Sequence, residues 1–135
     1  MLNVNTDAAV KGNPGPAGIG ILISGQTIHE QIARPLEGLW DNHQAEFEAI
    51  LQAMQWLIDH NLTDQMVFLH SDSKTAVDLL HQGTTKNKDF QPYLQAIYEL
   101  EEYFSYITID WRSQRHNKGA DHLARQALQR ARKNK

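Results

Sequence analysis

The chain has 135 residues, 41% of them hydrophobic and 21% charged, which is typical of one globular domain and excludes a disordered or collagen-like chain. Its net charge of −3 argues against a generic nucleic-acid binder, and the absence of cysteine excludes disulfides and thiolate metal sites. With no bilayer-spanning apolar run and no signal-peptide pattern, we expect a cytoplasmic protein that does not engage membranes.

Basic residues are concentrated at the C-terminal end. Residues 112–135 contain eight Lys or Arg and one acid, whereas the remainder carries five basic and fifteen acidic residues. Two explanations stay open, because cations complement the C-terminal dipole of a helix and also attract nucleic acid. We expect a single domain over residues 1–130 and a short basic tail over residues 131–135.

Hydrophobic periodicity predicts the element order βββαβααβα, an α/β fold. The predicted strands cover Leu2–Asp7, Ile19–Ser24, Thr27–Ala33, Met66–Ser71 and Ile107–Trp111. The predicted helices run from Asp41 or Asn42 to about His60, from Lys74 to His81, from an Asp89 cap to about Phe104, and onward from an Asn117 cap.

Two aspartates follow the first and fourth predicted strands. A right-handed crossover through the first helix favours a parallel arrangement of these strands if they share a sheet. Neighbouring strands lie about 4.8 Å apart, so Asp7 and Asp72 would then leave the same sheet edge side by side. Each residue also has a local alternative, since Asp7 could shape the following turn and Asp72 could cap a helix.

Glu46 and Asp121 are the other candidate members of the same site. At 100° per residue, Glu46 shares the apolar stripe of its helix with Ile50, Ala53 and Leu57, where an unpaired carboxylate is costly. Asp121 falls in the first turns of the last helix, a position that acids also favour for the helix dipole. A misjudged helix phase would instead place Glu46 outside the site.

Four carboxylates at one point repel each other unless cations neutralise them. Hard oxygen ligands select Mg²⁺ or Mn²⁺, and Mg²⁺ is usually completed by substrate phosphates. Two such ions can activate a water and stabilise the leaving oxygen of a phosphodiester. The acids therefore indicate a phosphoryl-transfer site.

Four segments resemble the ordered motifs of type 1 ribonuclease H (ribonuclease HI): TDAAVKGNPGPAGIG, NHQAEFEAI, LHSDSKTAV and RHNKGADHLARQAL. The resemblance implies a ribonuclease H-like fold, a five-stranded mixed sheet flanked by helices. It also implies Mg²⁺-dependent endonucleolytic cleavage of the RNA strand of RNA/DNA hybrids, leaving 5′-phosphate and 3′-hydroxyl ends. By the family pattern the metal ligands are Asp7, Glu46, Asp72 and Asp121.

The same resemblance implies roles for neighbouring residues. Asn13 and Asn42 match residues that contact the hybrid, and Ser73 and Lys74 lie where the family approaches the nucleic-acid backbone. Turn and cap roles for the two asparagines are compatible with substrate contact. His116 is the one histidine in the segment before Asp121, and we expect it to assist catalysis or product release, with a surface role as the alternative.

The sequence departs from the best-known bacterial members of the family in three ways: the segment before Asp121 is short and offers only His116, no separate hybrid-binding domain is expected, and the connection between the central helices is short. Only HQGTTKNKD separates the two central helices, so the basic extra helix and loop of those enzymes, their substrate handle, is not expected here. We expect a compact monomeric form with weaker hybrid affinity. Double-stranded RNA is a possible second substrate, and the sequence does not decide it. The alternative is a nucleic-acid binding module of the same fold with little or no turnover.

Overall fold

The computed structural model describes residues 1–133 and is built on a five-stranded mixed sheet. The strands are β1 (Leu2–Val10), β2 (Gly15–Gly25), β3 (His29–Trp40), β4 (Met66–Ser71) and β5 (Tyr106–Trp111). Their order across the sheet is β3-β2-β1-β4-β5. The first three strands form an antiparallel meander, and β4 and β5 run parallel to β1, which confirms the predicted mixed sheet.

Helices cover both faces of this sheet. They are α1 (Asn42–Asp59), α2 (Lys74–Gln82), α3 (Gln91–Glu101) and α4 (Lys118–Lys133), with one short 3₁₀ turn at Gln114–His116. α1 packs on β1 and β2, and α2 and α3 lie beside it and contact it. α4 packs on β1, β2 and β3 from the opposite face. The predicted order βββαβααβα is confirmed.

The main core lies between the sheet and α1. Alternate strand positions and the inward stripe of α1 supply it, and the large fully buried side chains include Leu2, Val4, Ile19, Ile21, Ile23, Phe47, Ile50, Met54, Leu57, Val67 and Leu69. The predicted stripe of α1 is therefore the buried one. Because Glu46 lies on that stripe, its carboxylate is carried toward the sheet.

Several element boundaries differ from those predicted. β1 continues three residues past Asp7, because its antiparallel pairing with β2 extends to Val10. β3 reaches Trp40, and α3 begins after Phe90 with no side-chain cap, so the predicted Asp89 cap is wrong. α4 includes residues 131–133 of the predicted tail, and residues 134–135 lie outside the described residues. None of the helices in the described range has the length and apolarity needed to cross a bilayer.

α4 approaches β2 closely enough to exclude side chains from two glycines. A Cβ added at Gly18 would collide with the backbone at Ala127, and a Cβ at Gly20 would collide with the backbone at Ala120 and Ala124. Gly20 is also the β2 partner of Asp7. This contact therefore sets the distance between α4, which carries Asp121, and the strand that carries Asp7.

We expect Gly20→Ala to destabilise the fold by about 2 kcal/mol, because backbone atoms of α4 occupy the space of the new methyl group. Gly119→Ala is the matched control, since its Cβ would meet only the flexible end of Leu22 and alanine favours a helix by about 1 kcal/mol. Urea denaturation of both variants measures the difference. Equal midpoints would contradict the close approach.

Candidate metal centre

Asp7 and Asp72 are brought together by the parallel pairing of β1 with β4. The last paired residues of that ladder are Thr6 and Ser71, and each aspartate is the next residue along its strand. The two carboxylates therefore leave the ladder at the same level of the sheet. Ser73, not Asp72, caps α2 through a hydrogen bond from the Ala76 N–H (3.2 Å), so the Asp72 side chain is free of that duty.

Glu46 completes a cluster of three carboxylates. It projects from the inward face of α1 toward the same sheet edge, and one oxygen each of Asp7, Glu46 and Asp72 lie within 4.8 Å of one another. The Oε1 atom of Glu46 is buried and has no hydrogen-bond partner among residues 1–133. Three close hard oxygen ligands, one of them otherwise unsatisfied, fit a divalent cation such as Mg²⁺ or Mn²⁺.

The cluster carries unfavourable charge when no cation neutralises it. Only 4% of the Asp7 surface is exposed, and burial is the main cause of a strongly raised Asp7 pKa, followed by the negative charge of Asp72. The N–H of Ala8 donates to Asp7 Oδ1 at 2.9 Å and opposes this shift. Burial and then the charges of Asp7 and Asp72 likewise raise the pKa of Glu46.

Asp121 lies beside this cluster without belonging to the tightest group. It stands in the first turn of α4, close enough to Asp7 to contribute to the raised Asp7 pKa. Its Oδ1 accepts a hydrogen bond from Arg125 Nε at 3.2 Å, one turn further along the helix. The structure thus brings all four predicted acids to one region and places three of them in direct proximity.

Asn117 fixes the start of α4 relative to β1, a role that the sequence did not predict. Its side chain is 1% exposed, and its Nδ2 donates to the Thr6 carbonyl at 2.9 Å. Its Oδ1 has no partner in the described part of the chain, so the predicted side-chain cap is wrong. The available signal for this role was a polar residue one turn before Asp121, but such a residue is more commonly explained as a helix cap.

The predicted substrate residues differ in their exposure and in their hydrogen bonds. Asn13 Oδ1 accepts a hydrogen bond from the Asn42 backbone N–H at 3.1 Å, which joins the β1–β2 turn to the start of α1. Ser73 is half-buried as the α2 cap, and the exposed Lys74 pairs with Asp78 at 3.3 Å. His116 is exposed in the 3₁₀ turn between β5 and α4, outside the carboxylate cluster.

We expect Asp7→Asn to stabilise the metal-free protein on the order of 2 kcal/mol at pH 8. Burial raises the pKa of Asp7 in the folded protein. The contribution of Asp7 to the free energy of unfolding is therefore fully present below the unfolded pKa near 4, and it is lost as the pH rises toward the raised folded-state pKa. The gain should therefore vanish near pH 4.

Thermal melting in EDTA between pH 4 and pH 8 measures this difference, with the exposed Asp64→Asn as the control. A melting temperature of Asp7→Asn at or below that of the wild type at pH 8 would contradict the shared acidic cluster.

Known proteins resemble the chain over nearly its full length. The family model described as reverse transcriptase-like matches residues 5–127. An Enterococcus faecalis protein, EbsB, provisionally assigned to the hydrolases, is 42% identical over 100% of this chain and 99% of its own. Ribonuclease H of Maricaulis maris is 30% identical over 97% of this chain and 95% of its own.

A solved ribonuclease H structure has the same fold as this chain. LC11-RNase H1, determined in complex with an RNA/DNA hybrid, superposes with a TM-score of 0.85 at 26% identity, covering 97% of this chain and 99% of that one. Sequence and fold thus agree with the resemblance of the four acidic motifs. The chain belongs to the reverse transcriptase-like family and, within it, to the type 1 ribonucleases H.

Proposed function

We propose that the chain cleaves the RNA strand of RNA/DNA hybrids as a Mg²⁺-dependent endonuclease. The observation that carries the proposal is the convergence of Asp7, Glu46 and Asp72 within 4.8 Å, with Asp121 beside them. Hybrid as the substrate is supported by the related LC11-RNase H1, which was solved with such a hybrid. The proposed ligands are the four acids that the sequence predicted.

The four carboxylates would hold two Mg²⁺ ions, with Mn²⁺ as a substitute. Bound there with substrate, the ions would activate a water and stabilise the leaving oxygen of the phosphodiester. The chain itself preorganises the carboxylates for metal binding. Asp7 is fixed by the Ala8 N–H and by burial, and Asp121 by Arg125.

The residues around the acids supply contacts to the two strands. Asn13 and Asn42, which a hydrogen bond joins, would offer amide groups to the 2′-hydroxyls and base edges of the hybrid minor groove. Ser73 and Lys74, at the start of α2, would contact the phosphate backbone. His116, on the exposed turn before α4, would assist proton transfer or product release.

The compact form limits the surface available for substrate. Residues 83–90 alone join α2 to α3, so no basic handle stands between those helices. We propose a monomer whose hybrid affinity depends on the residues near the metal centre. Activity on double-stranded RNA would require the same 2′-hydroxyl contacts on both strands.

We expect Asp7→Asn to lower hybrid cleavage about a thousandfold or more while hybrid affinity stays within about threefold, because a metal ligand is lost and the surface is kept. Cleavage of a labelled hybrid with Mg²⁺ or Mn²⁺ measures the first quantity, and fluorescence anisotropy measures the second. Asp64→Asn should behave as the wild type.

Double-stranded RNA and double-stranded DNA serve as substrate controls. Hybrid binding by the wild type without cleavage under either ion would overturn the proposal in favour of a binding module without turnover. Equal loss of cleavage and binding in Asp7→Asn would contradict a purely catalytic role of that residue.

We expect Asn13→Ala to raise KM for the hybrid about tenfold with kcat changed less than about threefold, since it removes a contact made equally in the ground and transition states. Steady-state cleavage gives both constants. Gln129→Ala, an exposed polar side chain on α4, is the control. A fall in kcat at unchanged KM would instead place Asn13 in the chemical step.

A further inference from the structure

One face of the sheet stays open over β4 and β5 and continues onto the half-buried side chains of β1 that border them. α1 covers the face that carries Val4 and Leu69, and α4 covers the other face only over β1, β2 and β3, within the part of the chain that the structure describes. The open sheet face is defined by the strand side chains that alternate with the core positions, Asn3, Asn5, Met66, Phe68, His70, Tyr106, Thr108 and Asp110, together with Arg112 directly after β5.

Aromatic rings occupy the end of this face that is distant from the acids. Phe68 and Tyr106 lie on neighbouring strands with ring centroids 5.9 Å apart at an angle of 60°. Tyr106 is 47% exposed although it stands on a sheet. Phe68 beside it is half-buried, and an exposed ring backed by a second ring on a strand surface is a platform on which nucleic-acid bases stack.

A cation and amide groups occupy the end of the face next to the acids. Arg112 follows β5 directly, and its backbone N–H donates to the Ser71 carbonyl, immediately before Asp72. Its guanidinium donates to Asn5 Oδ1 at 3.3 Å and forms no ion pair within residues 1–133. His70 Nδ1 beside it is buried and lacks a partner in the same residues.

We propose that the open sheet face binds a single-stranded segment of nucleic acid that continues from the duplex at the metal centre. Arg112 would take a phosphate, and Phe68 and Tyr106 would stack on bases. This inference rests on the proposed function for the position of the duplex. Arginine and aromatic rings together are the chemistry of sequence-tolerant single-strand binding.

Distances along the strands fit such a segment. Phe68 precedes Asp72 by four residues, which at strand spacing is about 13 Å. At about 3.4 Å per nucleotide of a stacked strand, roughly four nucleotides cover that length. A short overhang therefore suffices to reach from the acids to the aromatic pair.

The structure disfavours a second copy of the chain as the occupant. A copy would join most directly by pairing with the outer edge of β5, where backbone groups are available. His81 occupies one acceptor of that edge, since its Nε2 lies 2.6 Å from the Ile109 carbonyl oxygen. The face itself presents amides and an arginine beside its two rings, and its carboxylate, Asp110, lies 3.5 Å from His81 Nε2. Such a polar face suits a nucleic-acid strand better than an apolar protein surface.

The test uses the cleavage-deficient Asp7→Asn protein. Its affinity is measured for a blunt hybrid, for the same hybrid with an eight-nucleotide single-stranded extension of RNA or of DNA, and for a single strand alone. We expect the extension to tighten binding about tenfold, with RNA and DNA alike. Added Tyr106→Ser should abolish that gain and leave blunt-hybrid binding unchanged.

Controls separate the open sheet face from other effects. Tyr103→Ser removes an aromatic ring that is 64% exposed outside the sheet, and it should keep the gain. Arg112→Gln should lower the salt dependence of extension binding by about one counterion.

The outcomes distinguish this inference from the proposed function. Tight blunt-hybrid binding with no gain from either extension would overturn the inference and leave the proposed function standing. If the wild type cleaves no hybrid but binds a single strand, and Tyr106→Ser loses that single-strand affinity, the proposed function is overturned and the inference stands. A concentration-dependent dimer that Tyr106→Ser dissolves, without an extension effect, would identify a second copy as the occupant and overturn the inference.

Discussion

The register of the parallel β1–β4 pair is the constraint on which the metal centre depends. Because Thr6 pairs with Ser71, the next residue of each strand is delivered to the same level of the sheet. A shift of one residue would turn one carboxylate to the opposite face. Glu46 and Asp121 come from helices docked on opposite faces of β1, so both are placed relative to a ladder that they do not form.

That placement conflicts with the stability of the fold. Burying Asp7 and Glu46 near each other raises the free energy of their charged forms, and the apolar core under the sheet has to offset this cost. Stored repulsion of this kind is common where function requires a site that stability alone would not select. The same repulsion favours cation binding, because a bound divalent ion relieves it.

Much of the fold and the identity of the acids could be predicted because their signals are local or periodic. Alternation gave the strands, and the helix phase gave the inward position of Glu46. Other features depend on contacts between distant segments. The extension of β1 past Asp7 requires its pairing with β2, and the Asn117 bond to Thr6 spans 111 residues. The pairing of Arg112 with Asn5 is equally invisible to patterns within one element.

The hydrogen bond between Asn13 and Asn42 has a consequence for the speed of recognition. It ties a Gly/Pro-rich turn to the first residue of a capped helix, so two polar residues that lie 29 residues apart in the chain are joined directly. A surface that is already ordered loses little conformational entropy when a partner arrives. Encounter with a duplex can then proceed at a rate set by diffusion and charge, without waiting for a loop to fold around it.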